Sequence, residues 1–271
     1  MTTTGLEVRL CEGRTKPSVQ RFTKTLDDVV LSLREIDRLY LRRGSRPTWV
    51  VESLHHDDQA SVIRLEPRTT SRTRPIADML EPVNAFVDGV SKLEQSAEIP
   101  KLYGPETVER IRRIAASGDE YSNISLASYN GTIGKIATLS ESVRENAESA
   151  VKGKDVSRGS MSGILDTVGT TPRKNLLRVR VFDKQTQRAV TGNAAPYLSE
   201  ALREHWNHKV LVGGLITRNA QGQAIRIEID RIERLPEDDS MMPSPSELLG
   251  IAPDWTGGIA VDEFMRGLRN G

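Results

Sequence analysis

The feature that most constrains the fold is a series of strand-like segments between residues 159 and 235. The clearest, NLLRVRVFD, places Leu177, Val179 and Val181 on one face of a strand and Arg178 and Arg180 on the other. Strands are also predicted for GSMSGILDTVGT, QRAVTG, HKVLVGGLITR and AIRIEIDRIERL, and a helix for APYLSEALREHW. The predicted order is three strands, one helix and two strands.

This order of elements resembles that of the OB-fold, a five-stranded barrel with a helix between its third and fourth strands. The resemblance covers residues 159–235 and implies an OB-like five-stranded β-barrel. Barrels of this kind bind single-stranded nucleic acid through a basic groove and aromatic stacking. The basic residues expected to bind nucleic acid are Arg173, Lys174, Arg178 and Arg180.

An ordinary solvated face is the alternative interpretation of these charges. The last strand presents the mixed row Arg226, Glu228 and Asp230, which would not form a basic groove. Phe182 falls outside the alternation, and Trp206 can cap the core of the barrel. Both interpretations stay open from the sequence.

The first half predicts an α+β domain at residues 1–134, in which helices layer a small sheet. The predicted order is strand, helix, two strands, two helices and strand, with HHDDQ as a hairpin turn. The regular part of the second helix is expected to start close to Pro82. Residues 135–158 read as a helical or polar linker before the barrel at 159–235, and residues 236–271 as a tail.

Composition narrows the classes of protein. A length of 271 residues favours two domains, and 38 basic against 37 acidic residues argues against a general nucleic-acid coat protein. The single cysteine, Cys11, predicts a reducing compartment. Neither a signal peptide nor a membrane-length apolar run is recognised, so we expect a cytoplasmic protein without membrane contact.

The sequence predicts an extended, acidic and amphipathic tail at residues 236–271. Seven acids and no base occur between Pro236 and Glu263, followed by Arg266 and Arg269. The large apolar side chains of the tail are too widely spaced to build a core of their own. They are therefore expected to pack on this chain or to bind a protein partner as an amphipathic helix, and simple disorder of the tail is the third alternative.

The stretch LGIAPDWTGGIAVDEFMRGLR, above all its closing EFMRGLR, resembles the C-terminal tails of antitoxins that pair with PIN-domain ribonuclease toxins. The resemblance covers about 25 residues of the 271. It implies that an apolar helix grips the toxin while an arginine enters an acidic metal site. The implied partner-binding residues are Trp255, Phe264, Met265, Leu268, Arg266 and Arg269.

No catalytic residue, metal site or cofactor is predicted. His55 and His56 are neighbours, which point apart on a strand and cannot easily share an ion. We therefore predict a non-enzymatic binding protein, most specifically an antitoxin-like subunit that neutralises a toxin partner through its tail. The alternative is an OB-fold nucleic-acid-binding protein in regulation or defence, and an enzyme with an unrecognised site in residues 1–134 is a third possibility.

Overall fold

The computed structural model of the chain describes residues 4–41, 44–57, 59–69, 74–115, 119–171 and 176–236. The chain divides at Arg234 into two compact units, Met1–Arg234 and Leu235–Gly271. The described residues form five α-helices and two five-stranded sheets, which confirms the predicted α+β class.

The first sheet consists of β1 (Thr4–Glu12), β2 (Thr48–His56), β3 (Ala60–Arg68), β4 (Tyr121–Asn130) and β5 (Thr132–Thr138). Its order is β2-β3-β1-β4-β5, and every pair is antiparallel. β1 is central, with Leu6, Val8 and Leu10 buried on one face. β2 and β3 form the predicted hairpin, although His55 and His56 belong to β2 and not to its turn.

Four helices pack with the buried face of β1 in one hydrophobic core. They are α1 (Val19–Tyr40), α2 (Ile76–Gln95), α3 (Pro105–Ala115) and α4 (Glu141–Val151). Their apolar residues recur at helical spacing, as Val83, Val87 and Val90 do in α2. Ser18 and Ser140 cap α1 and α4, because each hydroxyl accepts a backbone N–H three residues later.

Residues 135–158, interpreted from the sequence as a linker, contain the end of β5, all of α4 and the start of β6 (Asp155–Thr171). α4 belongs to the first core, since Val143, Ala147 and Ala150 are completely buried. β5 was not predicted, because its large side chains, Ile133 and Ile136, are exposed and a bulge interrupts its alternation. The first sheet therefore extends further along the chain than its pattern indicates.

Pro82 lies inside α2 and not near its start, so this boundary was predicted wrongly. A proline at position 82 cannot donate to the carbonyl of Asp78, four residues earlier. Arg74 Nη2 donates to that carbonyl at 3.4 Å. The same nitrogen forms a buried ion pair with Asp37, and Arg74 Nη1 donates to Ser45 O at 3.2 Å. A tertiary contact thus replaces the bond that proline removes.

The second sheet consists of β6, β7 (Leu176–Asp183), β8 (Arg188–Ala194), β9 (Lys209–Arg218) and β10 (Ala224–Arg234). A 3₁₀ turn at Pro196–Leu198 and helix α5 (Ser199–Glu204) join β8 to β9. β6 pairs with both β7 and β9, while β10 pairs with β9 and, in parallel, with β8. Each strand therefore has two hydrogen-bonded neighbours.

A second core lies inside this sheet and is built mainly from valine, leucine and isoleucine side chains, including Leu165, Val179, Val181, Val212 and Ile227. The predicted inward face of β7 is confirmed by the burial of Val179 and Val181. Close strand approach requires glycine at position 214, where φ is +155° and a Cβ would lie 1.9 Å from Glu228 O.

Candidate functional site

The predicted site residues fall into two groups. The six partner-binding residues of the tail lie outside the described residues, as do Arg173 and Lys174. Arg178 and Arg180 are described, and both lie on the face of β7 opposite its buried valines. The exposure and the partners of these two arginines therefore bear on whether they can bind nucleic acid.

Arg180 is held in a network of ion pairs inside the protein. Its Nε donates to Asp166 Oδ2 at 2.7 Å, and its Nη2 contacts the same oxygen. Its Nη1 lies 3.3 Å from Glu35 Oε1, an ion-pair distance without the alignment of a hydrogen bond. Only 12% of the side chain is exposed. Because this guanidinium is buried and already paired with two carboxylates, it is poorly placed to bind a phosphate.

Glu35 brings α1 into this network and links it to α3. Arg110 Nη1 donates to Glu35 Oε2 at 2.7 Å, and one turn further along α3, Arg113 Nη2 donates to Asp28 Oδ1 at 2.6 Å. This hydrogen bond is the main reason why the pKa of Arg113 is raised. Asp28 and Glu35, seven residues apart on α1, thus face Arg113 and Arg110, three residues apart on α3. Both spacings bring side chains to one face of a helix, so they are a signal that the sequence contains.

Asp166 of β6 connects the network to the protein surface. Arg38 Nε lies 3.3 Å from Asp166 Oδ1, and Arg38 Nη2 donates to the Asp166 carbonyl at 2.8 Å. Trp206 Nε1 donates to the same carbonyl at 3.1 Å. Trp206 is 51% exposed, so it does not cap the second core as the sequence had suggested. Its indole is fixed in place but remains open to solvent.

Arg178, two residues before Arg180, has a different environment. Its Nη2 donates to Glu106 Oε1 of α3 at 2.6 Å, but 60% of its side chain is exposed. An exposed ion pair of this kind contributes little stability. Of the two described arginines predicted to bind nucleic acid, Arg178 alone retains a largely exposed side chain.

Apolar and backbone contacts complete the junction between the sheets. Leu39 of α1 packs with Phe182 of β7 and Ala189 of β8 in a small buried cluster. Leu102 N donates to Gln187 O at 2.6 Å, and Ala189 N donates to Tyr103 O at 3.0 Å. Phe182, which breaks the alternation of β7, is therefore explained by this junction. Part of the outer face of β7 and β8 is therefore covered by other segments of the chain.

The turn between β9 and β10 is also engaged with the first core. Asn219 is almost completely buried, and its Nδ2 donates to Ala150 O of α4 at 2.9 Å. Gln223 Oε1 accepts a hydrogen bond from Ile99 N at 2.8 Å. Backbone and side-chain contacts thus attach the second sheet, at both β7–β8 and β9–β10, to helices α1 and α4 and to the segment between α2 and α3.

The described clefts and charged clusters do not define a metal centre. A cleft of about 550 Å³ between α2 and the segment before α3 is lined by opposite charges, among them Asp88, Lys92 and Arg188. Within the described ranges, no group of three His, Cys, Asp or Glu residues is arranged to hold a metal ion. Among the helices that the structure describes, none is both long and apolar enough to cross a membrane.

Comparison with protein-family models, curated proteins and solved structures finds no match to this chain.

Proposed function

We propose that this chain is a non-enzymatic binding protein that holds a toxin-like protein partner through residues 236–271. The observation that carries the proposal is the division of the chain at Arg234, which leaves Leu235–Gly271 as a separate unit. A unit of 37 residues cannot bury much of its own apolar surface. A partner that covers those side chains provides the missing burial.

The chemistry of the tail indicates how the partner would be held. Trp255, Phe264, Met265 and Leu268 would insert into an apolar groove of the partner, while Arg266 or Arg269 enters an acidic pocket. The resemblance to antitoxin tails supplies these roles. On this proposal the first unit carries the binding segment.

We also propose that the second sheet is an OB-like barrel, which its strand order and the position of α5 support. In such barrels the second and third strands form the ligand face. Here those strands are β7 and β8, whose outer face carries the internally paired Arg180 and the packed Phe182. This arrangement favours the protein-partner function over nucleic-acid binding.

A paired capture from the native host tests the proposed function. One bait is the full chain and the other ends at Asp239. A third bait carries Phe264→Asp and Leu268→Asp, and its matched control carries Ser240→Asp and Ser244→Asp. We expect one small protein to be retained by the full chain and by the serine control, and to be lost from the other two baits.

A functional readout separates a toxin from an ordinary partner. We expect the captured protein to arrest growth when it is expressed alone, and co-expression of the full chain to relieve the arrest. Relief should be lost with the chain that ends at Asp239. Capture of the same proteins by all four baits would contradict the proposal.

The nucleic-acid alternative has its own test, which avoids the buried Arg180. Arg173→Glu combined with Lys174→Glu is compared with Arg158→Glu plus Arg231→Glu by fluorescence anisotropy of a labelled single-stranded oligonucleotide. Salt-sensitive binding that only the first pair of changes abolishes would support the alternative.

A further inference from the structure

We propose that the partner held by the tail is also bound by a second contact on the first unit, centred on Trp206 and flanked by Arg38. This inference rests on the proposed function and adds a second anchor to it. The indole of Trp206 is half-exposed in a chain in which only 4% of residues are aromatic. Tryptophan and arginine are also the residues that most often dominate binding energy at protein interfaces.

The Trp206 side chain is already oriented before any partner arrives. Its Nε1 donates to Asp166 O, and Arg38 Nη2 donates to the same oxygen, so the indole and the guanidinium lie side by side. The segment that follows is attached to β6, because Asn207 N donates to Leu165 O at 2.8 Å and Leu165 N donates to His208 O at 3.1 Å. A side chain ordered in advance loses less entropy on binding.

The position of Trp206 connects it to the proposed interface. His208, two residues after Trp206, accepts a hydrogen bond at Nδ1 from Arg234 Nη2 at 3.1 Å. Arg234 is the last residue of β10, and the tail follows it directly in the sequence. A protein that holds the tail is therefore linked through the chain to the unit that carries Trp206. Such a link raises the effective concentration of a second contact on that unit.

The charges around Trp206 describe the surface that it would meet. Arg38 donates to the carbonyl that also accepts from Trp206, and Arg234 contacts His208 two residues further along the chain, while the carboxylate of Asp166 is largely buried and already paired. The complementary surface is an apolar pocket that accepts an indole and has carboxylates at its rim. The occupant is accordingly the same protein partner, with an acidic patch beside the groove that receives the tail.

The test measures the affinity of the captured, purified partner for full-chain variants by titration. Trp206→Ala is compared with Tyr197→Ala, a change of a 71%-exposed aromatic residue in the 3₁₀ turn that follows β8. Arg38→Ala is compared with Arg158→Ala, which also removes a surface ion pair. We expect Trp206→Ala to weaken binding at least about tenfold, Arg38→Ala about threefold, and both controls less than twofold.

Folding and the tail are controlled separately. Urea unfolding identifies any variant that loses stability. Trp206→Phe retains an aromatic ring but not the N–H that donates to the carbonyl oxygen of Asp166. We expect Trp206→Phe to recover only part of the affinity, because it keeps an aromatic ring but loses the hydrogen bond that orients the side chain. Equal affinities for Trp206→Ala and Tyr197→Ala would overturn the second contact while leaving the tail proposal intact. If no tail-dependent partner exists, both proposals fail together.

Discussion

Arg178 and Arg180 share one face of β7 but differ in how far their side chains are exposed and in how many carboxylates pair with them. Arg180 is enclosed by Asp166 and Glu35, whereas Arg178 is mostly exposed and pairs with Glu106 of α3. Alternation along a strand shows which residues share a face. It does not show whether another part of the chain covers that face, and here the helices of the first sheet cover half of it.

The largest expected effect comes from removing the enclosed charge. Arg180→Ala leaves Asp166 and Glu35 buried with one fewer cation, so we expect the free energy of unfolding to fall by about 3 kcal/mol. Urea denaturation at neutral pH measures the change. Arg178→Ala is the matched control and should cost less than about 1 kcal/mol. Equal losses for the two variants would remove the contrast between them.

The apolar part of the junction should be nearly as sensitive. Leu39→Ala opens a cavity against Phe182 and Ala189, and we expect a loss of about 2.5 kcal/mol in the free energy of unfolding. Its neighbour Tyr40 is more than one-third exposed and provides the control. Thermal unfolding that proceeds in two separate transitions for Leu39→Ala would further show that the sheets lose their coupling.

The turn that joins β9 and β10 provides a smaller test. Asn219 donates to Ala150 O and accepts backbone hydrogen bonds from Gln221 and Gln223, so Asn219→Ala leaves buried polar groups without partners. We expect a loss of about 1.5 kcal/mol. Amide hydrogen exchange near Ala150 should accelerate in the same variant. Unchanged exchange there would indicate that the turn contributes little to the attachment.

The smallest effect concerns salt. Dissolved ions screen the exposed pair Arg178–Glu106 strongly and the enclosed pair Arg180–Asp166 much less. We therefore expect the difference in stability between wild type and Arg178→Ala to disappear in 1 M sodium chloride, as equilibrium unfolding would measure. The difference for Arg180→Ala should largely remain. A loss of both differences would mean that Arg180 is hydrated.

Much of the architecture could be predicted from local patterns. The apolar stripes of α1, α2 and α3 and the alternation of β7 mark elements whose own residues decide their structure. Pro82 and β5 could not be predicted, because Arg74 supplies the hydrogen-bond donor in one case and a bulge at an exposed edge hides the strand in the other. The Arg74 side chain is held there by its ion pair with Asp37, a residue distant in sequence, whereas β5 forms a local hairpin with β4.

The candidate site could likewise be predicted only in part from local sequence patterns. The exposed face of β7 was identified from alternation, but its pairing with Glu35 depends on how α1 meets the second sheet. No pattern in the sequence identifies Trp206 as a surface residue, since a tryptophan is on average mostly buried. The carbonyl of Asp166, which fixes the indole at the surface, becomes visible only in the assembled fold.

The role of the tail is measured most directly by the affinity of the captured partner for two purified proteins, the full chain and the chain that ends at Asp239. We expect truncation to weaken binding at least about a hundredfold, while the free energy of unfolding of the remaining residues changes by less than about 0.5 kcal/mol. Equal affinity for the two proteins would contradict the claim that the tail holds the partner.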